Sequence, residues 1–417
     1  MLERVVRSRA LTAEQHAWLL DGERRWGAFG RPSCVWMRGD AGLLGWGVAA
    51  CANPAGPARF ALAEAGWRAI CAGLTVDDEV ASFGSGPVAM VSFGFADDPG
   101  ESVLVLPERL LGWRGDQAWL TTVGDADADP PPLPTLARPA PAPVRVAPAP
   151  GQLEAWRQAV AEAVRRIRGG ALDKVVLALA LETRADDVID PSVLAQRLSG
   201  AYRQCYTFLV DGLVGATPEL LVRRCGPRVE SQVLAGTAPV GGCAGGELLR
   251  SAKDREEHRY AVESLVDTLA PRCVGLEVGP PHLLSLPNVV HLATDVAGLL
   301  RQPASVLELA GALHPTAAVG GAPRAAALAA MAELEPIDRR RYAAPVGWVD
   351  ADGDGELGLA LRCAEVRGST ARLYAGCGIV AGSDPAEELA EALAKLAPMR
   401  DALAGNALRL GPGPSES

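Results

Sequence analysis

Two spacings of apolar residues alternate along the second part of the chain. Leu153, Trp156, Val160, Val164 and Ile167 recur every three or four positions, one face of a helix, and the pattern stops at Gly169-Gly170. Lys174-Val-Val-Leu-Ala-Leu-Ala-Leu181 follows, a run too short and too β-branched for anything but a buried strand. Pro191 marks the first turn of a second helix. A long helix is predicted from about Glu247 to Leu269, closed by Pro271, and a last one from Pro385 to about Ala404, with a strand over Ala371–Ala375 between them. In the first third, short apolar stretches such as Val88-Ala-Met-Val-Ser-Phe93 alternate with glycine-rich turns and carry no chemical motif. A proline-rich stretch from Asp129 to Pro150 favours extended backbone and reads as a connector. The organisation expected is an N-terminal part (1–128), the connector (129–150), a catalytic region (151–405) and a tail (406–417). Strands followed by helices without regular β-α-β spacing predict an α+β body around antiparallel sheet.

Composition narrows the classes. The chain has 417 residues, 49% hydrophobic and 22% charged, enough for one large core or two ordinary ones. A net charge of −10 argues against nucleic acid as a partner, because phosphate binding needs clustered cations. No apolar run reaches the ~18 residues of a membrane span, and the opening Met-Leu-Glu-Arg-Val-Val-Arg lacks a signal peptide's apolar core. Nine scattered cysteines, without a Cys-x-x-Cys pair, read as free thiols in a reducing cytoplasm; Cys51, Cys71 and Cys205 stand in apolar surroundings. Grouped zinc ligands are absent.

Two motifs tempt and fail. Asp350-Ala-Asp-Gly-Asp-Gly355 begins like a calcium loop but reaches Leu361 where the twelfth-position glutamate belongs, so a polar hairpin turn is expected. Gly376-Cys-Gly-Ile-Val-Ala381 fits the dinucleotide fingerprint, yet too little chain follows it for a nucleotide-binding half. Its bare backbone could still approach an anion.

The chain holds three lysines, Lys174, Lys253 and Lys395, among 40 basic residues. An ammonium can lose its proton where a guanidinium cannot, so a general base at such a site must be lysine. Lys174 opens the buried strand, Glu219 stands between a turn and an apolar run, and Glu257 lies on a helix. Glu387, Glu391 and Lys395 share one face of the last helix. An amine, an isolated acid and carboxylates on two helices could form an acid/base site with a hard cation. Solvated ion pairs on helix surfaces are the competing reading, which spacing alone leaves open.

These segments, in this order, resemble the chorismate-utilising enzymes: isochorismate, salicylate, anthranilate and aminodeoxychorismate synthases. The resemblance rests on Lys174-Val-Val-Leu, Gly215-Ala-Thr-Pro-Glu-Leu-Leu, Leu234-Ala-Gly-Thr-Ala-Pro, Lys253-Asp-Arg-Glu-Glu-His and Leu286-Pro-Asn-Val-Val-His-Leu-Ala-Thr294. It continues through Leu313-His-Pro-Thr-Ala-Ala-Val-Gly-Gly321, Tyr342-Ala-Ala-Pro-Val-Gly-Trp348, Leu361-Arg-Cys, Arg372-Leu-Tyr-Ala-Gly-Cys-Gly-Ile-Val380 and Ser383-Asp-Pro. It implies two facing antiparallel sheets with helices outside and the active site in the cleft between lobes.

The resemblance also implies a chemistry. Lys174 matches the base of the enzymes that use water as nucleophile, where ammonia users carry glutamine; Ala235 stands where the covalent type carries its lysine. With no recognisable glutaminase segment, no glutaminase subunit is expected. The reaction implied is isochorismate synthase, with salicylate synthase, an anthranilate synthase large subunit or a catalytically dead homologue as alternatives. Lys174 would take a proton from water, and Glu219 would give one to the departing 4-hydroxyl. Glu257 and Glu391, with Glu388 beside them, would hold Mg2+. Arg362 would grip the enolpyruvyl carboxylate, with Tyr374, Gly378 and Lys395 lining that anion pocket and Gly236 and Thr237 near the ring carboxylate. His314 is a catalytic candidate with a structural alternative, and Lys253 has no role beyond its motif. Leu179, Val240, Ala344 and Cys377 depart from the family pattern. The product would feed menaquinone or siderophore synthesis.

Overall fold

The computed structural model describes residues 4–20, 25–124, 144, 146–239 and 244–405. Most of the connector, Val240 and the tail at 406–417 lie outside them. Inside them, the apolar runs form two large sheets. The longer has twelve strands and begins Gly321–Ala322, Lys174–Arg184, Thr370–Ile379, Cys363–Arg367, Leu213–Thr217, Tyr206–Val210, Cys34–Arg38. The shorter has ten and runs from Cys273–Val278 through Val289–Leu300, Arg228–Pro239, Leu220–Cys225, Gly355–Leu359 and Pro345–Asp350 to Val88–Ser92 and beyond. Pairing is antiparallel, as expected, except where Arg4–Ala10 runs parallel to Leu74–Asp78.

The sheets face each other. Trp36, from the longer one, donates its indole N–H across the gap to Glu356 of the shorter one at 2.7 Å. Strands from before the connector sit inside both sheets. Cys34–Arg38 pairs with Tyr206–Val210, and Val88–Ser92 pairs with Pro345–Asp350. Both sheets therefore cross the connector, and the early strands complete the body that carries the later motifs.

Helices cover the outside. Gln152–Arg168 buries Trp156, Val160, Val164 and Ile167, and Trp156 ties it to the Lys174 strand through the Ala178 carbonyl at 3.1 Å. Pro191–Ala201 begins with its proline, capped by Asp190. The single helix expected over 247–269 is two, Ala244–Arg250 and Ala252–Leu269. Ser251 breaks the run because its hydroxyl accepts from the Asp254 N–H and starts a new helix. Asp350–Gly355 is the expected hairpin turn, with Asp350 accepting from the backbone of Asp352 and Asp354. Cys51 corrects the expectation of an apolar setting, since it is exposed on a short sheet-edge strand, whereas Cys205 is buried.

Candidate active site

Two crossovers between the sheets build the site. At Pro218-Glu219 the chain leaves strand Leu213–Thr217 of the longer sheet and enters Leu220–Cys225 of the shorter one. At Leu361-Arg362 it returns, from Gly355–Leu359 to Cys363–Arg367. The crossovers are bonded together, Leu359 N–H to the Glu219 carbonyl at 3.2 Å and Ala216 N–H to the Arg362 carbonyl at 3.3 Å. A strand that switches sheets aims its side chain into the gap, and both switch points open on one cavity. Arg362 has φ +50°, a left-handed conformation costly for a residue with a side chain.

Strand Arg228–Pro239 supplies the facing wall. Its register against Val289–Leu300 slips between Ala235 and Thr237, and Gly236 takes φ +81° at that bulge. Ala235, Gly236 and Thr237 thereby all reach the cavity. Gly376 and Gly378 of Thr370–Ile379 line the other side. A Cβ at Gly378 would come within 2.0 Å of Glu257 Oε1, so the bare backbone makes room for that carboxylate.

The charged groups divide by their partners. Glu219 is 5% exposed and has no ion pair among the described residues; burial dominates and pushes its carboxyl up to about 8 despite Lys174, Arg362 and Lys395 nearby. Arg362 is 8% exposed, and it too lacks an ion pair among the described residues, with its Nε–H unpartnered. One of its amino groups donates to His291 Nε2 at 2.9 Å, which leaves the His291 Nδ1–H to donate to Thr237 Oγ1 at 3.0 Å. Burial first, then Arg362, holds His291 well below its usual range, so the ring is neutral.

On the helix side Glu257, Glu388 and Glu391 each have an ammonium. Lys174 is 0% exposed, its Nζ 3.3 Å from Glu257 Oε1. Lys395 lies 2.5 Å from Glu391, and Lys253 lies 2.5 Å from Glu388. Burial alone would raise Glu391, but Lys395, with Lys253 and Arg362 beyond it, holds this carboxyl below its ordinary value. Glu388 is pushed up, by burial and then by Glu391. Oxygens of Glu388 and Glu391 and the Cys377 sulfur lie within 4.8 Å of one another, a donor set that fits a hard dication through its two carboxylates.

Of the residues singled out in the sequence, Glu219, Gly236, Thr237, Glu257, Arg362, Gly378 and Lys395 line the cavity. Lys174 stands directly behind its wall, its Cε 2.9 Å from where a Gly378 Cβ would be. Glu388 and Glu391 form the carboxylate cluster at the last helix. Two expectations need correction. Tyr374 is outside the cavity lining, because Tyr342 stacks on its ring at 5.1 Å and takes the place at the wall. His314 is also elsewhere, packed against Phe95 and Phe60 with Nε2–H on the Phe95 carbonyl at 3.0 Å. Burial lowers its pKa to about 3, so it is a neutral core histidine.

Residues 135–404 match the family described as chorismate binding enzyme. The chain belongs to that family. The isochorismate synthase DhbC of Bacillus subtilis is 39% identical over 269 residues, 60% of this chain and 68% of that protein. The salicylate biosynthesis isochorismate synthase of Pseudomonas aeruginosa is 34% identical over 411 residues, 89% of this chain and 85% of that protein. The crystal structure of DhbC from Bacillus anthracis superposes with a TM-score of 0.76 at 31% identity, covering 95% of this chain and all of that one. The two-sheet body is thus a fold of the chorismate-binding family. Reasoning from the sequence missed His291 and Tyr342 as cavity residues, although both stand inside the motifs that carried the resemblance.

Proposed function

We propose that this protein is an isochorismate synthase. It would convert chorismate to isochorismate by attack of water at ring carbon 2 with departure of the 4-hydroxyl. The observation that carries this reading is Glu219, a buried carboxylic acid whose pKa of about 8 keeps its proton at neutral pH, in the same cavity as the unpaired Arg362. The first can donate to a leaving hydroxyl, and the second presents a two-pronged donor to a carboxylate. Chorismate carries both a leaving hydroxyl and carboxylates.

The other residues fit around that pair. Lys174 would take the proton of the attacking water from its buried place beside Glu257. Ala235 at the wall offers no amine for covalent attack, which favours water as the nucleophile. His291 orients Arg362, while Gly236 and Thr237 would face the ring carboxylate. Glu257, Glu391 and Glu388 would hold Mg2+; when bound, it supplies a Lewis-acidic anchor for a substrate carboxylate.

The test is to incubate the protein with chorismate, with and without Mg2+, and identify products by chromatography and mass. Isochorismate formed only with the metal is the expected result. Salicylate plus pyruvate would move the assignment to salicylate synthase, and no turnover would overturn the reading in favour of a binding protein.

A further inference from the structure

The strand that carries Lys174 is paired along one edge and almost bare along the other. Thr370–Ile379 pairs with it from Val175 to Arg184, whereas the short strand Gly321–Ala322 covers only Lys174 and Val175. Past Val175 no strand lies on that second edge among the described residues, so its backbone groups need other partners. Glu335 and Arg339 supply them. Glu335 accepts the Ala178 N–H at 2.7 Å, and Arg339 donates through Nη2 to the Val176 carbonyl at 2.8 Å. The two side chains stand in for the ladder of a neighbouring strand.

Arg339 reaches further than this edge. Its Nη1 donates to the Val319 carbonyl at 2.8 Å, and its own carbonyl accepts the Tyr342 N–H at 2.8 Å. Val176, Val319 and Tyr342 all line the central cavity, and Arg339 is not itself among the lining residues. One buried guanidinium thus ties together wall segments from three separate parts of the chain. It is held in place by Glu335, whose Oε2 lies 2.9 Å from its Nε, and by the Phe95 ring 4.3 Å below it. The next two arginines turn elsewhere, since Arg340 and Arg341 both pair with Glu365. Only a planar fork of donors can serve two carbonyls and a carboxylate at once; an ammonium on a flexible stem cannot fix their mutual angle.

We propose that Arg339, braced by Glu335, is a positioning residue for the reaction: it fixes the Lys174 strand against the wall at Val319 and so sets where the Lys174 amine stands. Lys174 lies two residues before Val176, on the same face of the strand. The inference rests on Lys174 being the base in the proposed reaction. The groups proposed to anchor the substrate, Arg362, Gly236 and Thr237, stand on other segments, and the Arg339 side chain donates only to Val176, Val319 and Glu335. Loss of the fork should therefore lower kcat and spare KM.

Arg339→Lys keeps a positive charge opposite Glu335 and removes the fork. Its kcat on chorismate, per folded protein, should fall about 10- to 100-fold, the scale of a small misplacement of a catalytic group, with KM little changed. Trp156→Phe is the control, because it removes a 3.1 Å bond to the Ala178 carbonyl on the same strand edge without touching a wall segment. It should melt lower than the wild type and keep its kcat. Glu335→Gln, which leaves an acceptor for Ala178 and takes away the brace, carries the same test if Arg339→Lys does not fold; it too should lose kcat and keep KM. Wild-type kcat in Arg339→Lys, or an equal fall in Arg339→Lys and Trp156→Phe, would overturn the inference while leaving the reaction in place. So would a rise in KM at unchanged kcat. No turnover by the wild type would overturn the proposed reaction and this inference with it.

Discussion

Glu219 and Glu391 are the same residue type in one site, and their surroundings drive them to opposite states. Glu219 sits at a sheet crossover with apolar neighbours and no ammonium in contact, and burial pushes it up to about 8. Glu391 sits on a helix with Lys395 one turn away at 2.5 Å, and its carboxyl is held below the ordinary value. One carboxyl can give a proton, and the other can hold a cation. Two carboxyls whose environments force their pKa values apart mark the division of labour in an acid/base site. What separates them is a direct ion pair, which Glu391 has with Lys395 and Glu219 lacks among the described residues.

Removing the protonated member should have the largest effect. Glu219→Gln keeps the shape and loses the proton, so turnover of chorismate should fall about 100- to 10,000-fold. In the wild type, activity should decline as pH rises through about 8, where Glu219 ionises. The stability effect runs the other way. The folded pKa lies above the ordinary value near 4.5, so the folded state binds the extra proton between these limits. This contribution to stability is full below about 4.5 and is lost as pH rises to about 8. Glu219→Gln should therefore melt higher than the wild type at pH 9 and close to it at pH 4. Equal melting temperatures at both pH values would show that Glu219 is not protonated by burial.

The next variant makes Glu391 resemble Glu219. Lys395→Met removes the ammonium and leaves a carboxylate without its closest counter-charge, at a cost of ~3 kcal/mol by denaturant titration in chelator. Added Mg2+ should raise the melting temperature of this variant more than that of the wild type, because the dication replaces the lost charge. The same Mg2+ response in both proteins would remove Glu391 from the metal ligands.

Legibility in the sequence follows the range of the interaction involved. The strand from Lys174 and the last helix from Pro385 were readable because a local apolar pattern fixes each. The break at Ser251 was visible as a serine three residues before Asp254, but the polar pattern ran on through it and masked the cap. His291 could not be assigned from spacing, because its role depends on Arg362, 71 residues later and in contact only across the gap between sheets. Tyr342 and Tyr374 both carried motif signals. Which of two stacked rings faces the cavity is decided by packing order, and no local pattern encodes that.

His314 tests whether a conspicuous motif histidine belongs to this division of labour at all, and here the smallest effect is expected. Its neighbours are Phe60, Phe95 and the arginines Arg59, Arg324 and Arg339, and its pKa of about 3 leaves it neutral across the working pH range. His314→Phe keeps an aromatic ring in that setting and gives up the bond to the Phe95 carbonyl. That carbonyl retains a second donor, Arg59, at 3.0 Å, so the loss of stability should be about 1 kcal/mol. Because the ring lies outside the cavity lining, kcat and its pH dependence should stay within a few-fold of the wild type. A fall of 100-fold in kcat in a variant of unchanged melting temperature would place His314 in the chemistry after all. The contrast between Glu219 and Glu391 would then describe only part of the proton inventory.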